Sequence, residues 1–519
     1  MQADRTDRPA WWQTRWFVFA TACLAAAPLL LPDIPPLVDL LGHMGRYRVQ
    51  IDHGQHPWLA DWYGFHWSLI GNLGVDLLVE WLGPLIGIEL SVKLIVLAIP
   101  PLTAVGLLWI AREVHGRVPA TALFALVLVY NYPFQFGFVN FSLAMALTLN
   151  AFALWLYLAR RGAWTLRTSL FVPLSCLIWL CHVYGWGVLG ILVVSAELIR
   201  ARDAGRAWLP AAIRAGVQCL PLALPCVMML VWRGSGVSGE TGDWFNLQAK
   251  LMWLAGILRD RWLWFDVAVA AVLVATLYDG VRSTALGWSR SLGLAAALLC
   301  ATFLLLPRIL LGSAYADMRL APFMVAIALI ALSPREAMPW RAQQWRALAA
   351  LALFTVRMGG TAYSYYLFDR SYDRELAALD HVPVGARLVS FVGADCRNTW
   401  MLGRLDHLPG IALERRYAYA NDQWSMAGAQ LLTTRYANAG AYIADPSQIV
   451  TSARCPRDWS RSIDRSLAAL PRDAFDYAWL IDPPSFDQHL LAGLKPVWRD
   501  GNSMLLRVDR TPLAPAAGK

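Results

Sequence analysis

Charge is scarce in this chain: only 16% of its 519 residues are Asp, Glu, Lys or Arg, while 57% are hydrophobic, against about 45–50% in soluble domains. That shortage excludes an ordinary soluble globular protein. No CxxC and no Cys/His pair at metal-ligand spacing occurs, so a zinc-type site is not signalled. There is no internal repeat, no long low-complexity linker, and no basic helix with interleaved aromatics. The net charge of +9 therefore does not mark a nucleic-acid surface. Its arginines cluster between apolar runs, where they orient membrane insertion.

What the chain does have is apolar runs of about 15–25 residues recurring through the first 360 positions, long enough to cross a bilayer as helices. Many of its 26 Trp residues flank these runs, as an interfacial aromatic belt requires. The expected fold is a polytopic α-helical membrane protein of about eleven spans, near 16–31, 90–111, 118–132, 137–159, 168–181, 185–199, 209–232, 262–278, 291–306, 320–333 and 347–363. Arg8 and Arg15 followed by the apolar run Trp16–Leu31 resemble a signal peptide, but Pro28 follows the cleavage-like Ala25–Ala27 and would block the cut. The segment is kept as the first span.

A cytoplasmic N-terminus puts Arg112/Arg117, Arg160/Arg161/Arg167, Arg200/Arg202/Arg206, Arg282/Arg290 and Arg335/Arg341/Arg346 on the inside. The opposite turns near 133–136 and 182–184 carry no Lys or Arg. This arrangement implies a bacterial inner-membrane protein with its C-terminal part in the periplasm. Counting 66–87 as a span would invert every later loop. Residues 35–87 are therefore expected on the outer surface as amphipathic or partly re-entrant helices, with Asn72, Asp76 and Glu80 on the polar side.

The chain divides into a membrane domain, 1–369, with a first outer loop at 32–89, and a mixed α/β domain, 370–519. In the latter, β-type runs at Arg387–Val392, Tyr477–Ile481 and Met504–Val508 alternate with helical patterns at Tyr372–Leu379 and Ser462–Leu470. Six cysteines lie in apolar runs; Cys396 and Cys455 stand alone in the polar part and could pair in an oxidising compartment.

The chemistry concentrates in Pro32–Arg46, after the first span. Pro35 and Pro36 suit a first helical turn, and Asp33 is placed to cap it. If the helix runs on, Asp39, His43 and Arg46 fall on one face. A carboxylate beside an imidazole and a guanidinium can stay ionised and take a proton from a hydroxyl. Asp39 is the first choice of base, with Asp33 next; an ordinary solvated position and a helix cap are the plain alternatives. His43, His53, His56, His66 and His182 all map to the outer surface, without ligand spacing. His182, Tyr184 and Asn140 lie in aromatic turns that could rim a cavity. Arg308 and Arg319 bracket another outer loop, and Arg357 sits inside the last apolar span, where burial costs about 2.5–3.5 kcal/mol unless it is paired. A lipid phosphate suits these arginines; Asp317, Glu89 or Asp76 would serve as protein partners instead.

This layout resembles the GT-C superfamily of glycosyltransferases, which includes the aminoarabinose and protein mannosyltransferases. The resemblance rests on the N-in first helix, the long first outer loop with Asp33, Asp39, His43 and Arg46, and Tyr315–Arg319 before a late span. It implies inverting transfer of a sugar from a polyprenyl-phosphate donor to an extracytoplasmic glycan, lipid or protein acceptor. Asp39, Asp33 and His43 would form the acid–base centre, and Arg319, Arg357, Arg308 and Arg46 would hold the donor phosphate. The first outer loop has no Asp-x-Asp pair, which departs from the metal-dependent subtype, and nothing in 370–519 matches the oligosaccharyltransferases. No metal and no cofactor beyond the lipid-linked sugar is expected. A lipid-linked sugar transporter or flippase, or a silent scaffold of polysaccharide assembly, are the alternatives. The transporter should show paired interrupted spans in repeated halves, and none is seen.

Overall fold

The computed structural model describes residues 9–234, 239–335, 338–397, 399–426, 428–455 and 461–509. The first apolar run forms the helix Arg15–Leu30, capped by the Thr14 side chain accepting from the Phe17 N–H. Among the described residues five helices are long and apolar enough to cross a membrane: Ile88–His115, Val139–Arg160, Trp164–Cys181, Val183–Asp203 and Leu263–Arg282. A sixth is the pair Trp208–Leu222 and Leu224–Trp232, if its 62° bend lies within one span. The expected count of about eleven is not reached on length and composition. Arg15–Leu30 and Arg290–Leu305 have 16 residues each, roughly 24 Å of helix against a hydrocarbon core of about 30 Å. The run at 118–132 is mostly a 3₁₀ helix, Ala120–Tyr130. The last expected span falls within the 37-residue helix Trp340–Leu376, which is long enough but too polar. The protein is a multi-pass membrane protein with a helical bundle and a C-terminal sheet.

Residues 35–87 contain no spanning helix, as expected. They form the helix Leu40–Asp52, a short helix Pro57–Trp62, a strand Tyr63–Phe65 and the helix Gly74–Ile86. The polar side of this last helix faces protein rather than water. Asp76 is fully buried against Arg46, and the Glu80 carboxylate accepts from Gln50 at 2.8 Å. It is Leu78, Trp81 and Leu85 that are exposed, as a helix lying on lipid would present them.

The C-terminal region builds a six-stranded sheet in the order Arg461–Ser462, Ile449–Thr451, Leu388–Gly393, Tyr477–Ile481, Ser503–Val508, Leu494–Asp500. The first four strands are parallel, and the last two add antiparallel. Alternation across the pleat divides its side chains between two cores. Leu388, Val392, Trp479 and Leu505 pack with the membrane bundle, whereas Val389, Phe391, Leu480 and Leu506 pack within the domain. Cys396 and Cys455 are joined in a disulfide with Cα atoms 5.1 Å apart.

Three ties lock this region to residues 35–87. Tyr63–Phe65 pairs antiparallel with Leu432–Thr434. Arg48 meets Glu414 at 2.8 Å. The buried Arg404 guanidinium donates to the Pro36 carbonyl and pairs with Asp260 at 2.6 Å.

Candidate active site

Asp39 is the residue immediately before the Leu40–Asp52 helix, not part of its first turn, and Pro35 and Pro36 stay outside the helix. The chain is held there by the 131–138 turn. The Asp39 N–H donates to the Phe136 carbonyl at 3.0 Å, and the Val38 N–H to that of Gln135. Gly137, at φ +97°, lies so close that a Cβ on it would stand 2.7 Å from the Asp39 nitrogen. Two backbone constraints thus meet at one glycine.

The Asp39 side chain opens into a cavity of about 390 Å³. Outside the C-terminal region its walls come from six segments: Asp39 and His43; Asn72; Phe136, Phe138 and Asn140; His182 and Tyr184; Trp232; and Ser313, Tyr315 and Arg319. The C-terminal domain closes it with His407, Trp424 and Asp445. Asp39, His43, Arg319, His182, Tyr184 and Asn140, all named from the sequence, therefore share one cavity.

The electrostatics of the cavity are uneven. Burial pushes the Asp39 carboxyl up to about 7, with Asp445 adding to the rise while His407 and Arg319 oppose it. The His407 Nε2 stands 4.0 Å from the Asp39 carboxylate, and its Nδ1 3.7 Å from Asp422. Burial alone would lower His407, but Asp422, Asp445 and Asp39 lift it to about 10. His43 is pushed down by burial and by Arg46, whose guanidinium reaches its Nδ1 at 3.4 Å. At neutral pH the cavity thus holds a charged His407 and a neutral His43.

Arg319 is nearly buried, and its guanidinium donates to the Ala314 carbonyl at 3.1 Å and the Ser313 hydroxyl at 3.4 Å. No carboxylate pairs with it among the described residues, and its Nε has no partner. It is a cation with hydrogen-bonding capacity left over, at the wall of a cavity.

The other named arginines are committed elsewhere. Arg357 is buried in the bundle, paired with Asp266 and donating to the Leu258 carbonyl. Arg308 pairs with Asp243 at 3.1 Å and does not line the cavity. Arg46 meets Asp76 at 2.5 Å behind His43. Asn140 donates to the same Asp76 carboxylate at 2.8 Å, so its amide braces this pair from the cavity wall. Asp33 is exposed outside the cavity, caps no helix, and donates its N–H to Asp369 at 3.0 Å. Desolvation explains the Arg357 and Arg46 placements: a buried guanidinium needs a fixed counter-charge, and each finds one within the protein.

Sequence reasoning missed His407, Asp422, Trp424 and Asp445. The only signal was Arg404, Asp406 and His407 embedded in the otherwise apolar run Leu402–Leu413. Among the described residues no group of three or more His, Cys, Asp or Glu side chains could hold a metal ion.

No protein-family model matches this chain, and no curated protein matches it in sequence. Its fold is similar to that of ArnT from Cupriavidus metallidurans, solved in the apo state, with a TM-score of 0.50 and 13% identity over 95% of this chain and 97% of that one. The likeness spans nearly the whole of both chains, so the helical bundle and the C-terminal sheet together share the ArnT fold. At this identity the likeness concerns fold alone.

Proposed function

We propose that the protein is a GT-C-type glycosyltransferase of the inner membrane, with its N-terminus in the cytoplasm and its C-terminal domain in the periplasm. It moves a sugar from a polyprenyl-phosphate donor to an acceptor hydroxyl at the outer leaflet. The observation that carries this reading is the convergence on one cavity of Asp39, a carboxyl raised to about 7, and Arg319, a nearly buried guanidinium with no carboxylate partner among the described residues. The Cys396–Cys455 disulfide supports the periplasmic placement.

The acceptor oxygen attacks the anomeric carbon, and the new C–O bond forms as the sugar–phosphate bond breaks. The acceptor proton passes to Asp39, a contribution of about 10²–10⁴ in rate. The bond electrons leave with the lipid phosphate, whose charge Arg319 stabilises in a poorly hydrated site. Attack from the face opposite the phosphate inverts the anomeric centre. His182 and Tyr184 lie beside Arg319 at the donor end, and the aromatic walls offer stacking faces to a sugar.

The test is binding of polyprenyl phosphate to the purified protein in nanodiscs, paired with mass spectrometry of envelope lipids and glycans from a strain lacking it. Saturable binding abolished by Arg319→Ala, together with loss of a glycosylated species, is expected. An unchanged envelope together with no binding would refute the reading.

A further inference from the structure

The proposed base belongs to the first outer loop, yet the imidazole facing it comes from the opposite end of the chain. His407 precedes the helix Gly410–Arg416, is 8% exposed and lines the same cavity. Its ring lies between two carboxylates, Nε2 toward Asp39 at 4.0 Å and Nδ1 toward Asp422 at 3.7 Å. The ring is packed against Trp424, with centroids 4.9 Å apart. Both His407 Nδ1 and the Asp422 Oδ2 it faces are buried without a hydrogen-bond partner, so each is left to the other. Asp422 itself is fully buried, its Oδ1 accepting from Gln423 at 3.2 Å.

We propose that His407, oriented by Asp422, is a positioning residue for Asp39: the C-terminal domain supplies an imidazolium that keeps the buried carboxylate ionised and sets the pH at which it can take the acceptor's proton. This deepens the glycosyl-transfer reading and rests on it. His407 forms no bond to substrate; the proton goes to Asp39, and the imidazolium keeps its own.

The surrounding charges fit that division of labour. The Leu40–Asp52 segment brings Asp39 and His43 to the ring, the 313–319 loop brings Arg319, and the C-terminal domain brings Asp406, Asp422 and Asp445. His43, next to Arg46, is held neutral and adds no charge. Arg319 also favours ionised Asp39, but its place at the donor end commits it to the leaving phosphate. Asp406 and Asp445 both work against Asp39 ionisation. His407 is thus the main counter-ion that opposes burial and these two carboxylates, without cancelling them. A histidine that merely docked the domain would need Asp422 and would gain nothing from facing Asp39.

The test uses the full chain in nanodiscs with ¹³C-labelled histidine, the His407 resonance being assigned with His407→Gln. His407 should stay charged through pH 8, and Asp39→Asn and Asp422→Asn should each lower its midpoint by about one pH unit, a tenfold change in ionisation ratio. In parallel, transfer is followed against pH with a total lipid and envelope extract of the parent strain as donor and acceptor. His407→Gln should move the acid limb up by about one unit, and His407→Lys should bring it back. A His407 midpoint insensitive to Asp39→Asn, or an acid limb unmoved in His407→Gln while Asp39→Asn is inactive, overturns this proposal alone. Transfer retained in Asp39→Asn removes the base assignment, and this proposal with it.

Discussion

The guanidinium of Arg319 lies over the ring of Phe138, 4.2 Å from its centroid, and the second aromatic near it, Tyr184, is 5.9 Å away. Two rings and two neutral oxygens thus hold a cation that no carboxylate neutralises among the described residues. Arg319→Ala is expected to lower transfer by about 10²–10³ in turnover, the cost typical of removing one donor from a developing anion. Arg319→Lys should recover part of this, because a point charge lacks the two-pronged fork. Steady-state turnover with the extract assay checks both; equal rates for wild type and Arg319→Ala would remove the phosphate role.

The pH dependence follows from Asp39, whose carboxyl is pushed up to about 7 by burial. A base works only when ionised, so the rate should rise about tenfold per pH unit below 7 and level off above it. His407 loses its charge only near pH 10, where Asp39 stays ionised even with its midpoint raised by about one unit, so the plateau should persist through that titration. An ordinary solvated aspartate would instead give a flat profile from pH 5 upward.

Arg357→Ala tests structure rather than chemistry. Asp266 pairs with Arg357 and also accepts from the Trp400 indole at 2.6 Å and the Asp260 N–H at 2.8 Å, deep in the bundle. Removing the arginine leaves a buried carboxylate without its cation, at a cost of about 3–5 kcal/mol. Thermal unfolding in detergent should show this loss, while the molecules that remain folded keep their affinity for polyprenyl phosphate.

Gly42→Ala probes the seam between the first outer loop and the C-terminal domain. A Cβ at Gly42 would lie 2.6 Å from a ring carbon of Trp424 and 3.2 Å from His407 Nδ1. Overpacking of this kind costs about 1–3 kcal/mol in stability. It should also displace the His407 ring, so transfer should fall more than the melting temperature alone explains.

Much of this architecture was legible in the chain. Apolar runs located the helices, because a helix in lipid must be apolar along its length, and period-two runs located the central strands. The segment after the first helix was legible because Asp39, His43 and Arg46 are titratable groups set among apolar residues. Span number was not, since apolar runs as short as 291–306 read as spans, and the helix that this one forms, Arg290–Leu305, has only 16 residues. The arginines divided by a feature invisible in sequence, the identity of their partners: Arg357 and Arg46 found carboxylates far along the chain, whereas Arg319 did not. His407 was hidden because a histidine in a loop of a sheet domain carries no periodic signal, and it reaches Asp39 through tertiary packing, with Gly410 set against Leu41 and Gly42, and Gly42 against Trp424.

The most direct measurement is complementation of a deletion strain with Asp39→Asn, with membrane levels matched to wild type and envelope lipids and glycans read by mass spectrometry. The wild-type chain should restore the glycosylated species. Asp39→Asn should insert normally, bind polyprenyl phosphate and restore nothing. Full restoration by Asp39→Asn would show that the proton leaves the acceptor by another route, and the cavity would need a different chemistry.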